Sequence, residues 1–377
     1  MRITIDARLL GRGGQSGIHV YTTELLRALI AQTPHDRIQL FYNGLRLAPL
    51  PHDIACAPNV RVINWRIPNA LLGASFTLTG LPRLDRHISS DVFFSPHFDL
   101  VAPGTTPHVM TFHDLSFVHY PSFFSFRQRV WHARQLYAAA ARRATHLIAD
   151  SLFIKSDLVA LLHLPPEKIS VVPLAAHTRF RPLPPHRPRK FPFPFLLTLS
   201  TLEPRKNILG LLRAFELLRA RETFRNLHLV IAGSPGWLYN DLLRAISASP
   251  HRSFVHLLGA VSLDEQVVLY NECEVFVYPS FFEGFGLPPL EAQACGASVV
   301  AADRAALPEV LGDGALFVDP WNTDALVDAI ARCVTDISFA RALRERGRAN
   351  AARFSWNATA QATLHILRYA RNSTNSQ

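Results

Sequence analysis

The sequence predicts an α/β protein made of two doubly wound, parallel-sheet domains of Rossmann type. Three observations predict it. Short β-rich apolar runs alternate with longer amphipathic stretches from one end to the other, the pattern of βα units around a parallel sheet. The alternation is interrupted once, between Arg179 and Pro194, and then starts again. The 377 residues are too many for one ordinary core and suit two domains, each of somewhat under about 200 residues.

The first unit is a strand over Arg2 to Asp6, a glycine-containing loop from Gly11 to Gly17, and a helix in which Val20, Leu25, Leu26 and Leu29 share a face. Further strands are predicted at Ile38 to Tyr42, Val60 to Trp65, Val92 to Ser95, Val109 to Phe112, His146 to Ala149 and Ser170 to Val172. The stretch that follows carries Pro182, Pro184, Pro185, Pro188, Pro192 and Pro194 among Arg179, Arg181, Arg187, Arg189 and Lys190. Proline at this density favours extended backbone and cannot continue a helix or a central strand, so this is the expected linker. The second half brings strands at Phe195 to Leu199, Leu227 to Ala232, Phe254 to Leu258, Val275 to Tyr278, Ser298 to Ala301 and Leu316 to Val318, each followed by a helical stretch. The last helix, Trp356 to Ala370, has no strand after it and is free to pack elsewhere. The expected domains are 1–177 and 195–355, joined by a linker at 178–194, with a terminal helix over 356–377.

Nearly half of the residues are hydrophobic, 49%, and 18% are charged, which suits a soluble globular protein. The formal charge of +10 attracts anions: nucleic acid, anionic lipid or phosphorylated small molecules. No apolar run reaches the roughly 20 residues needed to span a bilayer, and the chain opens on a strand pattern without a signal-peptide core, so a cytoplasmic location is expected. Cys56, Cys273, Cys295 and Cys333 are scattered and read as reduced packing residues.

The most informative segment is Tyr278-Pro-Ser-Phe-Phe-Glu-Gly-Phe-Gly-Leu-Pro-Pro-Leu-Glu291. Glu283 lies in the turn at the carboxyl end of a strand, the edge at which open α/β sheets bind ligands. Gly284 and Gly286 let backbone approach a ligand, and Pro288 suits a first helical turn. Glu291 follows about one turn later. Either glutamate alone would read as an acidic residue near a helix N-terminus, worth ~0.3–1 kcal/mol. A second segment, Leu199-Ser-Thr-Leu-Glu-Pro-Arg-Lys-Asn207, closes the first strand of the second half; Asn207 is a candidate helix cap, and Arg205 and Lys206 stand at the same sheet edge. An isolated basic pair would be a solvated surface. In the first half, Thr111-Phe-His-Asp-Leu115 closes a strand with His113 and Asp114. A lone histidine there is commonly structural. The glycine loop before the first helix serves either a tight turn or a phosphate, and it lacks a strict Gly-x-Gly-x-x-Gly.

Glu283 and Glu291, eight residues apart in this turn chemistry, resemble the double-glutamate motif of retaining glycosyltransferases of family 4, also called group 1, whose GT-B fold sets two Rossmann-like domains across a cleft. Glu-Pro-Arg-Lys-Asn resembles the family's phosphate clamp, and the His-Asp turn a donor-facing turn of its N-terminal domain. The resemblance covers nearly the whole chain. It implies that Glu291 accepts hydrogen bonds from the ribose of a nucleotide, that Glu283 and the amides of Phe285, Gly286 and Leu287 hold the donor sugar, with Gly284 beside them in the donor site, and that Arg205 and Lys206 neutralise the leaving diphosphate. It implies that His113 faces the donor sugar, with Asp114 orienting the ring or capping the next segment. Ser16 and Gly17 stand where the family has a glycine pair near the donor phosphate. Ser16 departs from that pair, as Ser200 does from a frequent glycine. No Asp-x-Asp occurs, so no metal and no other cofactor is expected. The opening Ile-Asp-Ala-Arg-Leu with Glu-Pro-Arg-Lys-Asn is similar to bacterial mannosyltransferases of polysaccharide and O-antigen synthesis, which implies GDP-mannose as donor and a saccharide or lipid-linked saccharide as acceptor.

Arg127, Arg129, Arg134, Arg142 and Arg143 lie among Phe123, Phe124, Phe126, Val130, Trp131, Leu136 and Tyr137. This is either an amphipathic helix on anionic lipid at the inner face of the membrane or a solvated face. Nucleotide-sugar epimerases and phosphorylases share the architecture. A nucleic-acid partner, prompted by charge alone, is not expected, because no nucleic-acid-binding module appears.

Overall fold

The computed structural model describes residues 1–13, 16–184 and 187–374. It divides into two compact units, one of Met1–Leu115, Phe126–Leu174 and Ser355–Gln377, the other of Ser116–Ser125 and Ala175–Phe354. The strands of the first unit are β1 (Arg2–Asp6), β2 (Arg37–Phe41), β3 (Val60–Ile63), β4 (Val92–Ser95), β5 (His108–Phe112), β6 (His146–Ala149) and β7 (Ile169–Val171). They form one parallel sheet in the order β3-β2-β1-β4-β5-β6-β7. The strands of the second unit are β8 (Phe195–Leu199), β9 (His228–Ala232), β10 (Val255–Gly259), β11 (Val275–Tyr278), β12 (Val299–Ala302) and β13 (Leu316–Val318), in the order β10-β9-β8-β11-β12-β13.

Both sheets are wound outward in two directions from their first strand. The winding reverses between β1 and β4 in one unit and between β8 and β11 in the other, and a ligand crevice opens at such a switch point, beyond the carboxyl ends of the strands. Helices cover both faces of each sheet, so the central strands are buried and read as continuous apolar runs: β8 (Phe-Leu-Leu-Thr-Leu) and β11 (Val-Phe-Val-Tyr) are buried at every residue. β3 stops at Ile63, two residues short of the sequence reading, because the Trp65 amide donates to the Asn43 side chain (3.2 Å) instead of a neighbouring strand.

Two stretches differ from expectation. The arginine-rich stretch is not one amphipathic helix: Leu136, at φ 47°, separates a Phe126–Arg134 helix from a Tyr137–Arg143 helix. Phe123 and Phe124 do not belong to its apolar side. They pack with the second unit, Phe123 stacked on Phe281 (5.4 Å) and Phe124 on Trp237 (5.4 Å). The proline and arginine stretch is tied to the Leu263–Glu272 helix: Arg179 pairs with Asp264 (2.8 Å), Lys190 with Glu265 (2.7 Å) and Arg187 with Glu272, while the Asn271 side chain accepts from the Leu183 amide (2.8 Å). Pro185 and His186 lie outside the described residues.

The final helix, Trp356–Thr374, packs in the first unit against the Gly17–Gln32 helix and strands β4 to β6. Thr359 donates to the Pro173 carbonyl (2.7 Å), and Gln32 to that of Asn357 (2.9 Å).

Candidate active site

The loops after β8 and β11 flank the switch point of the second sheet, and they carry Glu203, Arg205, Lys206 and Glu283. After β8 the chain turns through a short Pro204–Lys206 helix into Asn207, which sits at φ 53°. Contrary to the sequence reading, Asn207 makes no side-chain capping hydrogen bond to the Ile208–Arg219 helix; its carboxamide donates to the Pro320 carbonyl instead (2.8 Å). The turn delivers Lys206 inward. Its ammonium donates to Glu283 (2.6 Å) and to the Tyr278 hydroxyl (3.0 Å). Arg205 donates to Glu203 (2.9 Å), to the Phe282 carbonyl (2.8 Å) and, more loosely, to Glu283 (3.4 Å).

The two cations that the resemblance assigns to the diphosphate are each paired with carboxylates, Arg205 with Glu203 and Lys206 with Glu283. Glu283 is 7% exposed and Lys206 8%. Burial pushes the Glu283 carboxyl up, but Lys206 and Arg205 outweigh it and hold the group below the usual carboxylate range. The quartet carries no formal net charge, is nearly dry and has fixed geometry. Such a place presents positive charge to an anion at little reorganisation cost.

Beyond Glu283 the chain passes Gly284 and Phe285 into Gly286, at φ 96°, which opens the Leu287–Cys295 helix with Pro288 and Pro289 in its first turn. The positive φ favours glycine at this position, and a β-carbon there would also lie 2.6 Å from a methyl of Leu307. First-turn amides have no partner inside a helix and face anything bound there. Glu291, one turn on and 6% exposed, accepts a hydrogen bond from the Tyr270 hydroxyl (3.1 Å). Burial pushes its carboxyl up to about 7, with the tyrosine opposing.

In the first unit His113 follows β5 and has both ring nitrogens engaged: Nδ1 on Asp150 (2.6 Å) and Nε2 on the Pro96 carbonyl (2.7 Å). A carbonyl only accepts, so Nε2 carries a proton; a carboxylate at Nδ1 favours a second. Burial lowers His113, but Asp150 and the carbonyl outweigh it, and the ring stands above the usual histidine range. The residue orienting the ring is therefore Asp150, at the end of the neighbouring β6, and not Asp114, which contributes its charge. The Ser16 hydroxyl accepts from the His19 amide (3.3 Å) and caps the Gly17–Gln32 helix, so its oxygen already has a structural task. Gly17 has open space where a side chain would point. Gly14 and Gln15, in the same loop, lie outside the described residues. Among the described residues no group of three or more His, Cys, Asp or Glu side chains could hold a metal ion.

Sequence reasoning missed Glu203, Tyr278, Asp150 and Tyr270. Glu203 stands inside the quoted motif, and Asp150 at the carboxyl end of a predicted strand gave a signal like that of Asp114. Tyr270 is 21 residues from Glu291 on another helix, and no local pattern joins them.

Comparison with known proteins agrees with this geometry. The solved structure of sucrose-phosphate synthase from Thermosynechococcus elongatus superposes with a TM-score of 0.79 at 20% identity, covering 99% of this chain and 100% of that one. WaaG, a glycosyltransferase involved in lipopolysaccharide biosynthesis, does so with a TM-score of 0.73 at 16% identity, covering 97% and 99%. At such identities the likeness speaks for the fold, which is GT-B. A family model described as Glycosyltransferase Family 4 matches residues 15–180, and one described as Glycosyl transferases group 1 matches residues 186–350. O-antigen chain mannosyltransferase B of Escherichia coli is 30% identical over 368 residues, 92% of this chain and 94% of that protein. The chain belongs to the group 1, family 4 glycosyltransferases, and it is a hexosyltransferase.

Proposed function

We propose that this glycosyltransferase moves mannose from GDP-mannose to a saccharide or lipid-linked saccharide of O-antigen type, with retention at the anomeric carbon and without a metal ion. The observation that carries the reading is the convergence of Arg205, Lys206, Glu203 and Glu283 on the β8 and β11 loops, beside the glycine turn that opens the Leu287–Cys295 helix. The mannosyl assignment leans on the 30% identity to the O-antigen chain mannosyltransferase. In this reading Glu291 binds the ribose hydroxyls, Glu283 and the amides of Phe285, Gly286 and Leu287 hold the sugar, with Gly284 beside them, and Arg205 with Lys206 neutralises the leaving diphosphate. By the family resemblance Ser16, Gly17, His113 and Asp114 also contact the donor, with the His113 ring held by Asp150.

The bond between the anomeric carbon and the phosphate oxygen breaks as the acceptor hydroxyl oxygen bonds to the same carbon on the same face. The acceptor proton goes to the departing phosphate oxygen. No side chain need act as a covalent nucleophile. Incubating the purified enzyme with GDP-, UDP- and ADP-sugars, with and without EDTA, tests the reading; transfer from GDP-mannose that EDTA leaves intact supports it, and activity restored only by a divalent ion removes the metal-free step.

We also propose peripheral contact with an anionic membrane. The Asn69–Thr79 helix supports it better than the broken arginine stretch. It has no charged residue, exposes Leu71 (64%) and Leu78 (83%), and is flanked in the chain by Arg66 and Arg86. Sedimentation with vesicles containing phosphatidylglycerol should be lost in a Leu71→Ser, Leu78→Ser variant; equal sedimentation of both proteins would contradict the contact.

A further inference from the structure

We infer that Tyr270 is the positioning residue of the nucleotide site, holding Glu291 for the ribose, and that Phe180 of the proline and arginine segment holds Tyr270 in turn. The inference rests on the reading of Glu291 as the ribose ligand. Tyr270 is fully buried near the end of the Leu263–Glu272 helix, and its hydroxyl meets one oxygen of Glu291 at 3.1 Å. The second oxygen of Glu291 takes no protein hydrogen bond among the described residues, which leaves it for a ligand. A carboxylate on a helix has several rotatable bonds; one fixed donor selects the rotamer in which the remaining lone pairs point one way. The hydroxyl also favours the charged form of a group that burial would otherwise neutralise, and a carboxylate can accept from both ribose hydroxyls where a neutral acid cannot.

Two aromatic edges fix the tyrosine ring. Phe276 of β11 meets it at 5.2 Å, and Phe180 meets it at 5.6 Å, both edge to face. Phe180 is itself buried. The two residues after Tyr270 grip the same segment: Asn271 bonds the Arg181 carbonyl (3.1 Å) and the Leu183 amide (2.8 Å), and Glu272 pairs with Arg187 and accepts from the Lys190 amide (2.8 Å). Three consecutive side chains therefore hold this segment against the helix end, and the first of them, Tyr270, meets Glu291. Any rearrangement that withdraws Phe180 loosens the nucleotide ligand, and a bound nucleotide favours the docked segment by the same amount.

The test is the affinity of GDP and UDP across pH 5.5–9, by calorimetry, for wild type, Tyr270→Phe, Phe180→Ala, Phe180→Leu and Glu291→Gln. Tyr270→Phe should bind whichever nucleotide the wild type prefers roughly tenfold more weakly near neutrality, with the pH midpoint of binding moved upward, because a donor to the charged form is gone. KM for the donor should rise with kcat nearly unchanged. Phe180→Ala should shift in the same direction by less, and Phe180→Leu should recover most of it. Loss of affinity at every pH with an unmoved midpoint would mean a merely structural tyrosine and would overturn the inference. Unchanged binding by Tyr270→Phe alongside failure of Glu291→Gln would overturn it while leaving the ribose reading standing. Unchanged binding by Glu291→Gln would remove both.

Discussion

Replacing Lys206 by methionine removes one positive charge from a nearly dry quartet and leaves its shape almost intact. Unit charges 2.6 Å apart, the Lys206 to Glu283 distance, attract by about 6 kcal/mol at an effective dielectric near 20. Desolvation of both groups offsets part of this, so breaking the pair from one side should destabilise by about 3–5 kcal/mol, because Glu283 is left buried with its remaining cation, Arg205, at 3.4 Å. For a unit of this size each kcal/mol shifts Tm by roughly 2–4 °C, so a fall of at least about 6 °C is expected. The quartet changes from formally neutral to negative where a diphosphate must arrive. Transfer should drop by about 10²–10³, the usual effect of deleting one preorganised group that stabilises developing charge. The double variant Lys206→Met, Glu283→Gln restores neutrality and should regain most of the lost Tm while the transfer rate stays low. Calorimetric melting and initial transfer rates on the four proteins give the full cycle. A single variant as stable as wild type, or a double variant no more stable than the single, would refute the argument that the pair is buried and mutually dependent.

Other expectations follow from the same geometry. Glu291 has a folded pKa raised to about 7, so its burial costs stability once pH exceeds its unfolded value, a penalty that grows until pH passes about 7; Glu291→Gln should therefore gain in Tm over wild type between pH 5 and 8, by a difference on the order of 3 kcal/mol at most. His113 has a raised pKa, so the stability from its pair with Asp150 is lost as pH rises through that raised value; burial also pushes the Asp150 carboxyl up, so the pair holds only while that group is still ionised. Asp150→Asn should lower the histidine titration seen by imidazole NMR, and its stability deficit should shrink with rising pH; an unmoved titration would remove the ion pair. Gly286→Ala must strain a backbone at φ 96° and meet Leu307, costing about 1–3 kcal/mol, whereas Gly17→Ala, which meets nothing, should melt like wild type; equal melting of the two would contradict the contrast.

Much of this was legible in the sequence, for a physical reason. Buried strands are rich in apolar and β-branched residues, with few polar ones, so β1, β4, β6, β8, β11 and β13 could be bounded correctly from the sequence. The loops after β8 and β11 were legible because glycine, proline and charge crowd into a few residues. Partnership was not. That Lys206 meets Glu283, and that Asp150 accepts from His113, follows from strands adjacent in the sheet yet distant in the chain. The break at Leu136, which divided an apparent amphipathic helix, is a single left-handed residue without a glycine to announce it. The docking of the proline-rich stretch required the facing acids Asp264, Glu265 and Glu272, which no periodicity links to it.

The most direct test of retaining, metal-free mannosyl transfer is NMR of the first product formed from GDP-mannose labelled at carbon 1, in the presence of EDTA and a mannose-terminated acceptor. The account predicts an α-linked product whose one-bond carbon–hydrogen coupling at that carbon matches the α-configured donor. A β-linked product, or none until a divalent ion is restored, would contradict it.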